Sequence, residues 1–289
     1  MIERIKMTTL NVSSGNCTLT EDFNILLPVT YGVVLVFGLP LNLIVMYVIV
    51  FRIKHWSPNT VYMINLTVCD TLYILTLPFL IYHAHKKYWP FSEVFCKLIR
   101  FLFYTNLYSS ILFLTCISVH RYIVVCHPVR SMGLVNARRA RYVSVLIWVV
   151  VLIFQAPVLY FTQMNNNRCL DTTAKDLFGH FLPYSSFISV SLFLIPFVLV
   201  IVCNSLIVRQ LIQPNRVGGA ISQRSKLKSA KMVAVVMLVF IICFVPYHFT
   251  RSLNHVFRHL KDFRRSLPKK MKQDQNAEED KHLSTSETE

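Results

Sequence analysis

Three observations in the sequence predict an all-α membrane protein built as a bundle of six apolar helices. Of 289 residues, 54% are hydrophobic and only 15% charged, which leaves too little polar surface for a water-soluble fold of this size. Six stretches approach the roughly 20 apolar residues that a bilayer crossing needs. Basic residues also collect in alternate connections, the pattern left by repeated crossings that hold Lys and Arg on the cytoplasmic side.

The elements follow in chain order. Residues 1–22 contain no apolar signal region, so the first span is expected to act as its own anchor. Asn11 in "NVS" and Asn16 in "NCT" are glycosylation acceptors, which require a luminal face. Spans are expected at about 25–51, 59–84, 94–126, 141–163, 181–212 and 229–257 within a bundle covering 23–260. The first, fourth and fifth carry no Asp, Glu, Lys or Arg through their apolar centres. The second holds one acid, Asp70; the third is interrupted by Arg100, His120 and Arg121; the sixth contains His248.

One set of connections carries Arg52, Lys54, Arg130, Arg138, Arg139, Arg141 and, after the fifth span, Arg209 to Lys231, whereas the other set mixes fewer cations with Glu93, Asp171 and Asp176. This asymmetry places the N-terminus outside, and the expected location is the plasma membrane. The net charge of +16 is then a property of cytoplasmic loops, and no nucleic-acid partner is needed to explain it.

Cysteines divide by side. Cys17, Cys96 and Cys169 fall outside, where oxidation is favoured, and Cys96 with Cys169 is the natural pair, tying the third helix to the second outer loop. Cys17 is left odd, which points to a missing partner.

The third span is a rod that reaches both faces: Cys96 to Arg121 covers 25 steps, about 37 Å at the α-helical rise. Arg100, Tyr104 and Tyr108 stand at i, i+4, i+8 and form one stripe under a cation. In the sixth span Phe244, His248, Arg251 and His255 form a second stripe above the kink expected at Pro246. Either arginine alone also fits a side chain snorkelling to headgroups. Two cationic, aromatic-lined stripes at one depth point to an anion site with flat groups to stack on, suited to a phosphorylated, base-bearing ligand. Asp70 near mid-membrane is costly and reads as functional, with Asn42 of the first helix as a polar neighbour.

Taken in order, "GLPLN" with Asn42, "NLTVCD" with Asp70, Cys96, "HRY" at His120–Tyr122, Trp148, "LIP" with Pro196 and "FIICFVPYH" resemble the rhodopsin-like (class A) G-protein-coupled receptors. The stretches "HKKYWPF", "KLIRFLFYTNLYSSILFLTCISVHRY", "QAPVLYF" and "CLDTT" are similar to the metabotropic purinoceptors, receptors for extracellular nucleotides. That resemblance implies a rhodopsin-like helical bundle and no enzymatic activity. It further implies a uridine or adenosine di- or triphosphate ligand, a heterotrimeric G protein of the Gq type acting through calcium, and other receptors as oligomeric partners. No cofactor or metal is implied.

By resemblance, Arg100, Tyr104, Tyr108, His248 and Arg251 line the nucleotide pocket, and Asn42 with Asp70 form an internal sodium and water site. Arg121 and Tyr122 face the G protein, while Phe240, Phe244 and Pro246 belong to the packing switch between the two ends. The family also carries a tyrosine low on the fifth helix, where Asn204 stands in this chain.

A larger departure follows residue 260. Family members continue into a third outer loop and a seventh helix, yet here "DFRRSL" at 262–267 resembles the amphipathic helix that follows that span. The expectation is a bundle with its seventh helix missing, about 40 residues being absent near Lys261, followed by a basic, then acidic tail at 261–289. Read literally, six spans would instead make a non-signalling form that modulates full-length receptors. A transporter is a weaker reading, since neither an inverted repeat nor a second intramembrane acid is apparent. Enzyme motifs such as G-x-S-x-G and H-E-x-x-H are also missing.

Overall fold

A computed structural model describes residues 28–129, 131, 136–165, 168–170, 178–212, 231, 234–250 and 253. Five helices in it are long and apolar enough to cross a membrane: α1 Pro28–Arg52, α2 Pro58–Lys86, α3 Glu93–Cys126, α4 Ala137–Phe161 and α5 Pro183–Ile212. A sixth, shorter apolar helix, α6, covers Ala234–Thr250. The fold is thus the predicted helical membrane bundle, with one small addition. Gln163–Asn165 (β1) and Arg168–Leu170 (β2) form an antiparallel hairpin in which Met164 faces Cys169.

Helix starts are set by polar caps. The Ser57 hydroxyl accepts from the Thr60 N–H at 3.2 Å before Pro58 opens α2, Ser92 does the same for Phe95 at the head of α3, and Asn136 for Arg138 at the head of α4. Each satisfies one of the donors that a helix leaves orphaned at its first turn. The fourth helix therefore begins at Ala137 rather than 141, because Arg138, Arg139 and Arg141 occupy its capped first turns instead of a loop. At the far end of α2, Lys87 closes the helix in the left-handed conformation at φ 55°.

Prolines bend the helices locally. Pro78 cannot donate to the carbonyl four residues back, and α2 opens into a turn at Leu75–Thr76, where the Thr76 hydroxyl donates to the Tyr73 carbonyl at 2.7 Å. Wide π turns at Val34–Gly38, Val190–Leu194 and Phe240–Phe244 each end two residues before a proline, at Pro40, Pro196 and Pro246. The wider turn accommodates the lost donor and the ring's clash with the preceding carbonyl.

The chain divides into two compact units, Met1–Phe240 and Ile241–Glu289. In the first, α3 is the central rod and packs on α2, α4 and α5, while α1 packs on α2. A core cluster at the head of α3 gathers Ile74, Leu77, Leu80, Trp89, Cys96, Ile99 and Cys169. Trp89 is almost fully buried, edge-on to Phe91, and its indole N–H donates to the Ser92 carbonyl at 3.2 Å. The "KYWPF" stretch is thereby folded over the disulfide. Trp148 ties α4 to α2, its indole N–H donating to Asn65 Oδ1 at 2.9 Å, and the Tyr184 hydroxyl of α5 donates to the Phe154 carbonyl at 2.7 Å beside Pro157.

Outward faces are apolar. Phe37 and Phe51 of α1 are 64% and 70% exposed, which suits a helix bathed in lipid with all its backbone bonds internal. The second unit is described only through the end of α6, where the Thr250 hydroxyl donates to the Pro246 carbonyl at 2.9 Å. The expected amphipathic segment and the tail at 261–289 lie outside the described residues, as does any question of a seventh helix there.

Candidate functional site

Three polar constellations lie along α3, one at each end and one at its middle. At the N-terminal end of α3 the Cys96–Cys169 disulfide pins the β-hairpin onto its head, across 73 residues of chain. Arg100, one turn below Cys96, donates from Nη2 to the Cys169 carbonyl at 3.0 Å. Its guanidinium is thus held at the mouth, an orientation the stripe did not require. Tyr104 and Tyr108 continue down the same face and are both buried, Tyr108 completely. A cation with a five-donor fork stands above an aromatic wall, a pairing whose chemistry matches an anion joined to a flat ring.

At mid-membrane, Asp70 of α2 accepts from Asn106 Nδ2 of α3 at 2.8 Å. One turn away the Ser109 hydroxyl lies 3.1 Å from the Cys69 sulfur. Asn42, expected beside Asp70, instead donates to the Gly38 carbonyl of its own helix at 2.9 Å. The reason is local. An amide side chain reaches back to the carbonyl four residues earlier, as Asn65 does to the Val61 carbonyl in α2 at 2.7 Å.

Near the C-terminal end of α3 Asn59 reads both residues of the "HR" pair. With its amide oriented to satisfy both neighbours, Asn59 Oδ1 accepts from Arg121 Nη2 at 2.9 Å and from Nε at 3.1 Å, and Nδ2 donates to His120 Nδ1 at 2.8 Å. Both nitrogens on one edge of the guanidinium meet a single neutral oxygen. The Tyr122 hydroxyl meets His127 Nε2 at 3.1 Å, bracing the last turn of α3. Around this end the described chain is free of carboxylates: its only acids are Asp70 and Glu93, and Glu93 pairs with Lys97 at 2.8 Å at the head of α3.

Other residues expected to act are placed as follows. Phe240 is fully buried and stacks on Phe197 at 6.0 Å between centroids, and Phe197 stacks on Phe193. Phe244 closes the π turn before Pro246, and His248 lies edge-on to Tyr247 at 5.1 Å. Asn204 is buried on α5. Arg251, Asn11, Asn16 and Cys17 lie outside the described residues.

Two residues escaped the sequence reading. Asn59 sits in "SPNT", a stretch that reads as helix capping, and Asn106 is one of several polar residues in "YTNLYSS". Only an Asp mid-span and an Arg inside the end of a helix hint that partners of this kind must exist.

Comparison with known proteins identifies the family. The family described as 7 transmembrane receptor (rhodopsin family) matches residues 41–279. Purinoceptor 2 of Rattus norvegicus is 50% identical over 250 residues, covering 84% of this chain and 67% of that protein. Purinoceptor 4 of Xenopus laevis is 44% identical over 264 residues, 89% of this chain and 49% of that protein. Purinoceptor 3 of Meleagris gallopavo is 37% identical over 261 residues, 88% of this chain and 80% of that protein. The chain thus spans about two thirds of the first of these and about half of the second. Match length, identity and the bundle described above lead to one assignment: the chain belongs to the rhodopsin family of seven-transmembrane receptors, among the purinoceptors.

Proposed function

We propose that this chain binds extracellular uridine or adenosine nucleotides at the outer end of α3 and passes the event to a G protein of the Gq type, raising intracellular calcium. As a family member it is a multi-pass membrane receptor of the cell surface and not an enzyme. The observation that carries the ligand reading is Arg100 held at the mouth above Tyr104 and Tyr108, in a chain half identical to a purinoceptor. Arginine presents a planar fork that matches phosphate, and Tyr104 and Tyr108 are buried on the same helix face below it. His248 and Arg251 are assigned as further ligand contacts by the family resemblance alone.

Signal transfer follows from the same rod. A ligand can shift an equilibrium only by its differential affinity for two states. Phe240 packed on Phe197 is the element proposed to repack, and Arg121 is the residue proposed to be released to the G protein. Asp70 with Asn106, and Asn42 nearby, form the internal polar site proposed to take a sodium ion. The N-terminus is placed outside by the basic connections. Nothing in the relatives favours the reading as a non-signalling modulator.

The test is direct. Cells expressing this chain, with surface display verified by an N-terminal tag, should bind radiolabelled uridine triphosphate saturably and answer it with a calcium rise. Arg100→Gln should weaken binding by about tenfold or more, the loss expected for a charge-assisted hydrogen bond of about 1.5–3 kcal/mol, and Arg100→Lys by less. Saturable binding that is unchanged in Arg100→Gln would remove the arginine from the site, and no binding by displayed protein would refute the ligand reading.

A further inference from the structure

At the inner ends of α1, α2 and α4 the chain forms a crevice of about 320 Å³ lined by Lys54, His55, Trp56, Val61, Ala137 and Arg141. The physical origin is the short link between α1 and α2. α1 stops at Arg52, Ile53 turns extended at φ −93° and ψ 104°, and α2 starts at Pro58 under the Ser57 cap. The link therefore has to cross between helix ends within a few residues, and Lys54, His55 and Trp56 are left exposed against the first turns of α4. Buried Val61 makes an apolar floor.

The charge of this crevice is unanswered within the described chain. Lys54 and Arg141 are exposed cations, and the only described acids, Asp70 and Glu93, lie at mid-span of α2 and at the opposite end of α3. Trp56 is 40% exposed and Tyr142, next to Arg141, is 69% exposed. These amphipathic rings mark the level where headgroups meet hydrocarbon. A concave site with a point-charge ammonium, a forked guanidinium, an imidazole and an indole N–H suits a phosphate-bearing ring better than a single small ion. Its position at the membrane edge selects among such ligands. An anionic lipid is concentrated there, whereas a soluble phosphate is not.

We propose that the crevice bounded by Lys54, His55, Trp56 and Arg141 is a binding site for an anionic phospholipid headgroup carrying phosphomonoester groups. Its assignment to the cytoplasmic leaflet rests on the orientation proposed above, whereas the headgroup contact itself does not, since it can be read in a bilayer accessible from both sides. Headgroup binding here is also independent of nucleotide recognition, so the two readings fail separately.

The experiment uses the purified full chain in phosphatidylcholine nanodiscs with a fluorescently labelled phosphatidylinositol bisphosphate, following energy transfer from tryptophan. Saturable transfer is expected, competed by the unlabelled lipid and only weakly by phosphatidylserine. Lys54→Gln with Arg141→Gln should lower affinity by about a hundredfold, tenfold for each lost charge-assisted contact, and Lys54→Arg with Arg141→Lys should retain most of it. Arg52→Gln with Arg139→Gln removes two nearby charges outside the crevice; an equal loss there would reduce the effect to general surface attraction and overturn the proposal. Equal affinity for the soluble inositol trisphosphate headgroup would overturn the lipid assignment. Retained disulfide and an unchanged unfolding temperature identify folded variants, and a folded double variant that binds like the parent overturns the site.

Discussion

Replacing Asn59 by Leu tests the inner end of α3 most sharply. The side chain keeps its heavy-atom count and its branch at Cγ but loses every polar contact: the Oδ1 acceptor that meets Arg121 Nη2 and Nε at 2.9 and 3.1 Å, and the Nδ2 donor that meets His120 at 2.8 Å. Helix α2 should still form, because its cap is Ser57 and not Asn59. Hydrogen bonds to a charged group contribute about 1.5–3 kcal/mol, so the lost restraint on Arg121 comes to about 2 kcal/mol, or about thirtyfold in a two-state equilibrium.

If the contact belongs to the resting arrangement, that factor is removed from the resting side. Agonist-free nucleotide exchange on a Gq-type protein, measured in membranes from cells expressing this chain, should rise several-fold relative to surface-displayed parent. Asn59→Asp keeps the acceptor, adds an ion pair with Arg121 and should leave basal exchange at or below the parent level. Basal exchange unchanged in Asn59→Leu, or raised equally in Asn59→Asp, would refute the reasoning that Asn59 restrains Arg121.

Four further outcomes follow from other contacts. Cys96→Ser opens a loop of 73 residues, costing about 4 kcal/mol on the chain-entropy account; thermal unfolding in detergent should fall markedly, and reductant should mimic the variant. Trp148→Phe keeps the edge-on ring against Phe113 but loses the bond to Asn65, about 1 kcal/mol, which should lower the unfolding temperature by a few degrees and leave nucleotide affinity unchanged. Asn106→Leu leaves the half-buried Asp70 without the amide that now donates to it and should destabilise the fold by about 1–3 kcal/mol. Asp70→Asn should abolish any effect of sodium on nucleotide binding, and a sodium response that persists there would remove the ion from that site.

Much of the fold is legible in the sequence because a bilayer imposes one rule on every segment. Backbone groups must be satisfied internally and the outside must be apolar, so long apolar runs become helices. The third helix is the best case, since Ser92 and Cys126 delimit it and Cys96, Arg100 and Arg121 fall where a rod would place them. The site was legible only as stripes on single helices. Arg100 above Tyr104 and Tyr108 follows from spacing, but its bond to the Cys169 carbonyl depends on the hairpin that the disulfide holds. Asp70 was marked as important by its cost in the membrane, yet its partner could not be read. Spacing along α2 says nothing about which residue of α3 lies opposite.

The sequence by itself determined the class of protein and the α3 stripe, because each depends on composition or on distances within one segment. Tertiary structure alone decided that Asn106 and not Asn42 answers Asp70, that Asn59 grips Arg121 and His120, and that the link from Arg52 to Pro58 makes a basic crevice with α4. Those contacts join residues on different helices. They are set by how the rods are rotated and shifted against one another, which depends on the packing of all their faces at once.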